Sequence, residues 1–203
     1  MSEQPNTDGK DYADRLRTLE SVWWKRLLDV QRPYRKHLRS LELGFVLDIG
    51  CGLGRNLGHL GGQGVGVDHN PESISLARSR GLTAFTVADF AASEYAKPAR
   101  FDTLLCAHVV EHMRRDEART LLSSYLPYLR EGGRVVLITP QEAGFKSDAT
   151  HVEFCDLEAL ADLTRGLGLV TDRSYSFPFP RFVGKFFKYN EFVSVSRKPA
   201  PGA

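Results

Sequence analysis

An apolar run that leads directly into three alternate glycines is the feature of this sequence that most restricts its fold. Residues 46–49 read Val-Leu-Asp-Ile, and Gly50, Gly52 and Gly54 follow at every second position. Glycine permits a tight turn and removes the side chains that would keep a ligand away from the backbone. The pattern predicts a strand, a turn that a ligand can approach, and then a helix. A sharp turn without a ligand would use the same glycines, so the loop alone leaves both interpretations open.

Short apolar segments alternate with amphipathic helical segments through the rest of the chain. This alternation predicts an α/β fold in which helices cover both faces of a largely parallel sheet. Because no helical segment separates the last two predicted strands, we expect these two to pair antiparallel. The predicted strands span 45–49, 64–67, 84–87, 101–106, 134–139, 169–175 and 191–196, and the predicted helices lie near 56–60, 71–79, 116–130 and 156–167.

The N-terminal part of the chain has a different character. Residues 1–11 are polar, which predicts a disordered tail. Apolar residues then recur at spacings of three and four, which predicts a helix that Pro33 ends or kinks, followed by a shorter helix over 34–41. We expect residues 12–43 to form a helical cover or lid, with its last part closing over a ligand, and residues 44–198 to form a single α/β domain.

Composition excludes several classes of protein. The 203 residues are 42% hydrophobic and 26% charged, which is the balance of a globular domain rather than a disordered chain. The net charge of +2 is too small to indicate nucleic-acid binding. Three scattered cysteines without a CxxC pair argue against a disulfide framework or a structural zinc site. With no long apolar run and no signal-peptide pattern, we expect a soluble cytoplasmic protein.

Acidic residues stand where three successive predicted strands end. Asp48 precedes the first glycine by two positions, where a carboxylate would repel a pyrophosphate and attract an α-amino group. Asp68 ends the next strand, where an acid can accept both hydroxyls of a ribose. Asp89 follows the third strand beside Phe90, and such a pair suits the exocyclic amine and the ring of an adenine.

These segments together resemble the class I S-adenosylmethionine-dependent methyltransferases. The resemblance covers residues 44–198. In family order, it is carried by DIGCGLGRNL, GVGVDHNPESISLAR, Ala88-Asp89-Phe90, FDTLLCAHVVEHM and GGRVVLITP. It implies a Rossmann-like, seven-stranded, mostly parallel sheet with a final antiparallel strand, S-adenosylmethionine as cofactor, and methyl transfer to oxygen or nitrogen of a small molecule.

The resemblance also implies where the cofactor lies. The three glycines would surround its methionine part, Asp68 would hold the ribose, and Asp89 with Phe90 would flank the adenine. The full set of cofactor-binding residues that it implies is Asp48, Gly50, Gly52, Gly54, Asn56, Asp68, His69, Asp89, Phe90 and Ala107.

His108, Glu111 and His112 follow the fourth strand with the spacing HxxEH, which also occurs in a group of zinc proteases. That chemistry needs the motif within a helix, whereas here it straddles a strand–helix junction. Some methyltransferases similar to those of the ubiquinone pathway carry an acid in place of His108 and hold a divalent cation with these groups. A histidine there softens the donor set and disfavours magnesium. Alternatively, Glu111 and His112 only cap and pack the next helix; we expect no metal.

A long polar stretch after the fifth strand contains Thr150-His151 before an aromatic residue, again similar to ubiquinone-type O-methyltransferases. Connections of this length are usually functional. We expect His151 to act as a general base or to orient the acceptor, since an imidazole can both accept and donate a proton under physiological conditions. A histidine that only pins the loop is the alternative. His108 is the second candidate base.

Residues 175–192 hold eight aromatic side chains among 18 residues, with prolines that prevent a regular strand. This segment could cover the acceptor, pack in the core or form a dimer interface, and the sequence leaves these possibilities open. Its few basic residues disfavour a nucleic-acid stacking surface.

Methyl transfer to a small-molecule acceptor is the function we expect, with no nucleic-acid or membrane partner and with a homodimer left open. A nicotinamide-dependent oxidoreductase is disfavoured by Asp48 and because Asn56-Leu57 follows Gly54 where GxGxxG needs a further glycine. A non-catalytic module that binds an adenosyl ligand is the other alternative, since binding and turnover are separate properties.

Overall fold

All seven predicted strands form, and they lie in one sheet. The computed structural model describes residues 31–200, so the predicted tail over 1–11 and most of the predicted cover over 12–43 lie outside the described residues. The strands are β1 (Val46–Ile49), β2 (Gly64–Asp68), β3 (Ala84–Thr86), β4 (Phe101–Ala107), β5 (Leu129–Pro140), β6 (Val170–Phe177) and β7 (Glu191–Arg197).

The strand order is β3-β2-β1-β4-β5-β7-β6. Strands β1 to β5 run parallel, and β7 is antiparallel to both of its neighbours, β5 and β6. The mostly parallel sheet with a final antiparallel strand is therefore confirmed. Because β7 runs opposite to β5, the amino end of β7 lies at the same edge of the sheet as the carboxyl end of β5, and Glu191 pairs with Pro140 there.

Helices and short helical turns connect the strands. The α-helices are α1 (Arg32–Ser40), α2 (Arg55–His59), α3 (Pro71–Ser79), α4 (Val87–Ala91), α5 (Arg115–Tyr125), α6 (Glu142–Phe145) and α7 (Leu157–Arg165). The 3₁₀ turns span Val110–His112, Leu126–Tyr128 and Arg181–Lys185. No helix among residues 31–200 has the length and apolar character needed to cross a bilayer.

Two boundaries differ from the predictions for identifiable reasons. Val87 begins α4 instead of ending β3, because the Thr86 hydroxyl caps the helix by accepting a hydrogen bond from the backbone N–H of Asp89 at 3.2 Å. The helix predicted to extend to residue 130 ends at Tyr125, since Pro127 follows and Leu129 already pairs with Phe101 as the first residue of β5.

Both faces of the sheet are buried, as the apolar strands predicted. Side chains of β1 alternate between the faces, so that Leu47 and Ile49 join the core beneath α5 and α7, while Val46 joins the core beneath α1. Helix α1 is held on that second face by Leu38, which is completely buried. This packing brings the amino end of α1 to the carboxyl edge of β1, where Tyr34 contacts Asn56 of α2.

Candidate functional site

Polar side chains converge at the edge of the sheet where β1, β2, β4 and β5 end and β7 begins. Open α/β sheets bind ligands at this edge, outside the carboxyl ends of their strands. The glycine loop, the HxxEH segment and the loop that contains His151 all follow strands that end here.

The glycine loop has the left-handed backbone that the sequence required. Gly50 and Gly54 have φ angles of 71° and 76°, and a Cβ on either would lie 2.4 Å from a side-chain carbon of Val109 or Leu82. Any other residue at these positions would be strained and would displace a neighbour. Since the turn itself demands glycine, the argument for a ligand has to come from the polar groups around the loop.

Asp48 is a buried carboxylate that the protein satisfies only in part. Its Oδ1 accepts a hydrogen bond from Asn56 Nδ2 at 3.4 Å, and the Asn56 side chain accepts one from the Tyr34 hydroxyl at 3.2 Å. The other oxygen, Oδ2, is buried and has no hydrogen-bond partner among the described residues. Burial raises the pKa of Asp48 to about 7, although the Asn56 hydrogen bond and the nearby Arg55 oppose the rise. A ligand ammonium group beside Oδ2 would satisfy both its charge and its hydrogen bonding.

Asp68 lies at the end of β2 with its carboxylate already oriented. Its two oxygens accept hydrogen bonds from the backbone N–H groups of Gly52 and Asn70, at 2.8 and 2.9 Å. His69 Nδ1 lies 3.4 Å from Asp68 Oδ1. Each carboxylate oxygen can accept a second hydrogen bond. The arrangement therefore leaves Asp68 able to bind a pair of hydroxyl groups.

The side chains of Asp89 and Phe90 lie in different environments. Asp89 is exposed, 3.8 Å from Arg78, and is free to meet a ligand amine. Phe90 is only 2% exposed and packs in the core against Tyr125 and Tyr128. The expectation that Phe90 stacks on an adenine is therefore wrong, because its ring has no open face. Ala107, the last residue of β4, is buried at the same edge as Asp48.

His108 is held between two carboxylates rather than left free. Its Nε2 lies 2.8 Å from Glu191 Oε1 and its Nδ1 lies 3.3 Å from Glu111 Oε1. Burial alone would lower the pKa of His108, but Glu191 and Glu111 outweigh that effect and raise the pKa to about 9. The two carboxylates occupy both ring nitrogens of His108, which leaves neither nitrogen open to an acceptor hydroxyl. The role of His108 as a base stays a prediction, and these contacts disfavour it.

Glu111 has a fully buried carboxylate that lies beside the His108 ring. Apart from the contact of Oε1 with His108, neither oxygen has a hydrogen-bond partner among the described residues. The backbone carbonyl of Glu111 accepts hydrogen bonds from the N–H groups of Val152 and Glu153, at 2.7 and 3.2 Å. These bonds fasten the loop after β5 to the HxxEH segment and bring His151 beside Glu111.

His112 and His151 lie beside Glu111, and a backbone oxygen contacts one nitrogen of each ring. His151 Nδ1 lies 2.7 Å from the backbone oxygen of Phe145, and His112 Nδ1 lies 3.2 Å from that of Thr150. Because a carbonyl only accepts, each Nδ1 carries the hydrogen and each Nε2 keeps a lone pair. Donor atoms of Glu111, His112 and His151 lie within 4.8 Å of one another. This cluster can therefore pass a proton or hold a divalent cation, with His151 rather than His108 as the third donor.

Helix α1 adds a residue that the sequence analysis did not single out, His37, which contacts the beginning of the aromatic segment 175–192. His37 stacks on Phe177 with 3.9 Å between ring centres, and its Nε2 lies 2.7 Å from the Tyr175 hydroxyl. Burial lowers the pKa of His37, and its Nδ1 is buried without a partner among the described residues. Glu191 was missed as well, and its Oε2 is also buried and unpartnered. The available signal for Glu191 was its position at the start of an antiparallel strand.

Comparisons with known proteins agree with this geometry. A family model described as a methyltransferase domain matches residues 46–133. The ubiquinone biosynthesis O-methyltransferase of Xanthomonas euvesicatoria pv. vesicatoria (strain 85-10) is 27% identical over 143 residues, which cover 62% of this chain and 59% of that protein. The chain thus spans less than two thirds of the length of the curated relatives it matches.

Solved structures share the fold at low identity. A SAM-dependent methyltransferase from Archaeoglobus fulgidus superposes with a TM-score of 0.64 and 18% identity, over 87% of this chain and 98% of that one. The magnesium protoporphyrin IX methyltransferase of Synechocystis PCC 6803, solved with bound SAH, gives a TM-score of 0.58 and 17% identity, over 84% and 85% of the two chains.

We predict that binding of S-adenosylhomocysteine strengthens with pH because its ammonium group needs ionised Asp48. For a pKa of about 7, the ionised fraction rises from roughly a tenth at pH 6 to roughly nine tenths at pH 8. Calorimetry should show the dissociation constant falling by about tenfold over that interval. Asp48→Asn should bind more weakly and lose this dependence, whereas the surface variant Asp162→Asn should keep it. An equal pH dependence in Asp48→Asn would contradict the assignment.

Proposed function

Because this chain carries a class I S-adenosylmethionine-dependent methyltransferase domain, we propose that it transfers the methyl group of S-adenosylmethionine to an oxygen of a small-molecule acceptor. With S-adenosylmethionine as the cofactor, the nicotinamide alternative is set aside. The observation that most directly supports methyl transfer is the unpartnered, buried oxygen of Asp48 beside the glycine loop. The proposed setting is the cytoplasm, without a nucleic-acid partner.

Each of the proposed cofactor-binding residues contacts a different part of S-adenosylmethionine. Asp48 takes the ammonium group of the methionine part, with Asn56 and Tyr34 fixing its orientation. Asp68 takes the ribose hydroxyls, since Gly52 and Asn70 already hold its carboxylate in place. The exposed Asp89 meets the amine of the adenine. The cofactor supplies an electrophilic methyl group on a sulfonium ion.

Positioning of the acceptor supplies most of the rate enhancement in such a displacement. The nucleophile has to be held about 3–3.5 Å from the methyl carbon, in line with the bond that breaks. A hydroxyl arrives protonated, so a base is needed. His151 accepts that proton at Nε2, because Nδ1 is committed to the Phe145 carbonyl, and the carboxylate of Glu111 stabilises the resulting imidazolium.

An acceptor with both apolar and hydrogen-bonding parts suits the groups around His37. Phe177 and Tyr175 supply aromatic surface there. His37 Nδ1 and Glu191 Oε2 are buried polar atoms without partners among the described residues, and each such atom costs about 1–3 kcal/mol while unsatisfied. A wholly apolar acceptor would leave both unsatisfied. The names of the curated relatives, ubiquinone biosynthesis O-methyltransferases, support oxygen as the acceptor atom.

A divalent cation held by Glu111, His112 and His151 is the second candidate for this part of the site. The unpartnered carboxylate and the two Nε2 lone pairs fit such an ion. Two imidazoles and one carboxylate favour a metal such as zinc or manganese over magnesium. A bound cation would lower the pKa of an acceptor hydroxyl and so replace the base.

We predict that the protein binds S-adenosylhomocysteine at micromolar concentration and NADH much more weakly or not at all. Asp68→Ala should weaken the binding of S-adenosylhomocysteine by about 1–3 kcal/mol, because the ribose hydroxyls lose their charged acceptor. The matched control is the surface variant Asp172→Ala. Calorimetry on the full chain measures all four affinities, and tight NADH binding without an S-adenosylhomocysteine signal would refute the methyltransferase assignment.

We predict that His151→Ala and His151→Asn both lower turnover by about 10²-fold or more, within the range of general-base catalysis. Asparagine keeps a donor for the Phe145 carbonyl but has no Nε2 lone pair. Cofactor affinity should stay within about threefold, since neither change touches Asp48 or Asp68. The measurement is S-adenosylhomocysteine release with hydroxylated acceptors. Recovery of turnover in His151→Asn would show that the histidine only anchors its loop.

We predict full turnover in the presence of a chelator, because His151 supplies the base without a metal. The control is the same protein dialysed with zinc or manganese, with metal content measured by atomic emission. If the chelator abolishes turnover and added metal restores it, the cluster of Glu111, His112 and His151 is a metal site and the role of His151 as base is wrong.

A further inference from the structure

The aromatic loop, residues 178–190 between β6 and β7, presents large apolar side chains to the solvent. Phe182 and Phe186 are 66% and 84% exposed, and Phe179 and Tyr189 are about half exposed. The other large apolar side chains exposed to this degree within residues 31–200 are three scattered valines. Phe187 connects two of these side chains, because its ring contacts the rings of Phe179 and Tyr189. Exposed apolar surface concentrated on one loop usually marks an interaction site.

Hydrogen bonds to Gln141 and Glu142, which follow β5, hold the aromatic loop in place. Asn190 donates to the buried Gln141 Oε1 at 3.1 Å and accepts a hydrogen bond from the backbone N–H of Phe179 at 2.9 Å. Gly184 packs so closely on Gln141 that a Cβ there would overlap its side chain. Arg181 forms two hydrogen bonds with the Glu142 carboxylate. These contacts fix the backbone at the base of the loop, while the rings of Phe182 and Phe186 face solvent.

The charge of the aromatic loop is all of one sign. Its thirteen residues include three basic side chains and no acidic one. Arg181 is neutralised by Glu142, whereas Lys185 and Lys188 are exposed and form no salt bridge with the described residues. Lys188 Nζ lies 4.9 Å from the centre of the Tyr189 ring, so cation and aromatic ring share one surface.

We propose that the aromatic loop docks the protein on a membrane surface that carries anionic phospholipid. Phe182 and Phe186 enter the boundary between headgroups and acyl chains, and Lys185 and Lys188 contact lipid phosphates. Lysine is depleted at the cores of protein interfaces, which favours a lipid surface over a protein partner. Two unpaired lysines are too few for a nucleic acid.

Membrane docking would place the candidate site beside the lipid surface. The loop follows Phe177, which stacks on His37, and it ends at Glu191, which contacts His108. Docking does not depend on methyl transfer, and it differs from the expectation of no membrane partner that the sequence alone suggested.

Sedimentation of the full chain with vesicles tests this docking. The chain should sediment with phosphatidylcholine vesicles that contain about a third phosphatidylglycerol, and much less with phosphatidylcholine alone. Phe182→Ser with Phe186→Ser should reduce partitioning by about tenfold or more. Lys185→Gln with Lys188→Gln should reduce it by about 25-fold on the anionic vesicles alone, at roughly fivefold for each lysine.

Matched controls change the same chemistry elsewhere on the surface. Val87→Ser with Val170→Ser removes exposed apolar side chains, and Lys97→Gln with Arg119→Gln removes two exposed charges. Both control pairs should bind vesicles like the original chain, and S-adenosylhomocysteine binding should be unchanged in the loop variants.

Three results would overturn the proposal. The first is that the chain sediments with neither kind of vesicle, and the second is that the loop variants bind as well as the controls do. The third is a dimer in sedimentation velocity that the phenylalanine variant dissociates, without vesicle binding by the original chain. That outcome would assign the loop to contact between two copies. If the original chain does not bind S-adenosylhomocysteine, that result counts against the proposed function and not against membrane docking.

Discussion

The burial of carboxylates at one edge of the sheet is the constraint on which the candidate site depends. Asp48 and Glu111 are almost completely inaccessible to solvent, and Glu191 is largely so. Removing a carboxylate from water costs several kcal/mol even after the protein relaxes, unless a cation or hydrogen-bond donors compensate. His108 serves as the shared cation for Glu111 and Glu191, and the Asn56 amide serves Asp48. The compensation is incomplete, because each carboxylate retains at least one oxygen without a hydrogen-bond partner among the described residues.

The same constraint accounts for the unusual backbone of His108. Its φ angle is 60°, in the left-handed region that a residue with a Cβ seldom adopts. This conformation follows directly from the end of β4, where the N–H of His108 still donates to the carbonyl of Ile138 at 2.9 Å. The turn directs the imidazole between Glu111 and Glu191, so the two ion pairs offset the strain of about 1–3 kcal/mol. A glycine would relieve the strain but would leave both carboxylates without their cation.

Local patterns in the sequence predicted the sheet and the positions of Asp48 and Asp68 at the ends of their strands, because each pattern depends on neighbours in the chain. Three alternate glycines require one turn, and Asp48 and Asp68 are fixed by the strands that contain them. The stacking role of Phe90 was assigned wrongly because the sequence analysis did not predict the short helix that begins at Val87. In α4, adjacent residues point about 100° apart, so Asp89 faces solvent while Phe90 faces the core. Glu191 is 83 residues from its partner His108, and only the antiparallel placement of β7 brings the two together.

The buried Asp48 carboxylate, with one oxygen unpartnered among the described residues, makes the stability of the free protein depend on pH. Its pKa in the folded chain, about 7, lies above the ordinary value near 3.9 of an unfolded aspartate, so the folded state binds the proton more tightly. As pH rises from about 4 to about 7, this residue therefore makes the free protein progressively less stable. An ammonium group beside Oδ2 favours the ionised carboxylate and lowers its pKa, which removes that destabilisation. A ligand that satisfies Asp48 thus gains affinity from the same desolvation that costs the free protein stability, and the buried carboxylate is better explained as a binding residue than as a support for the fold.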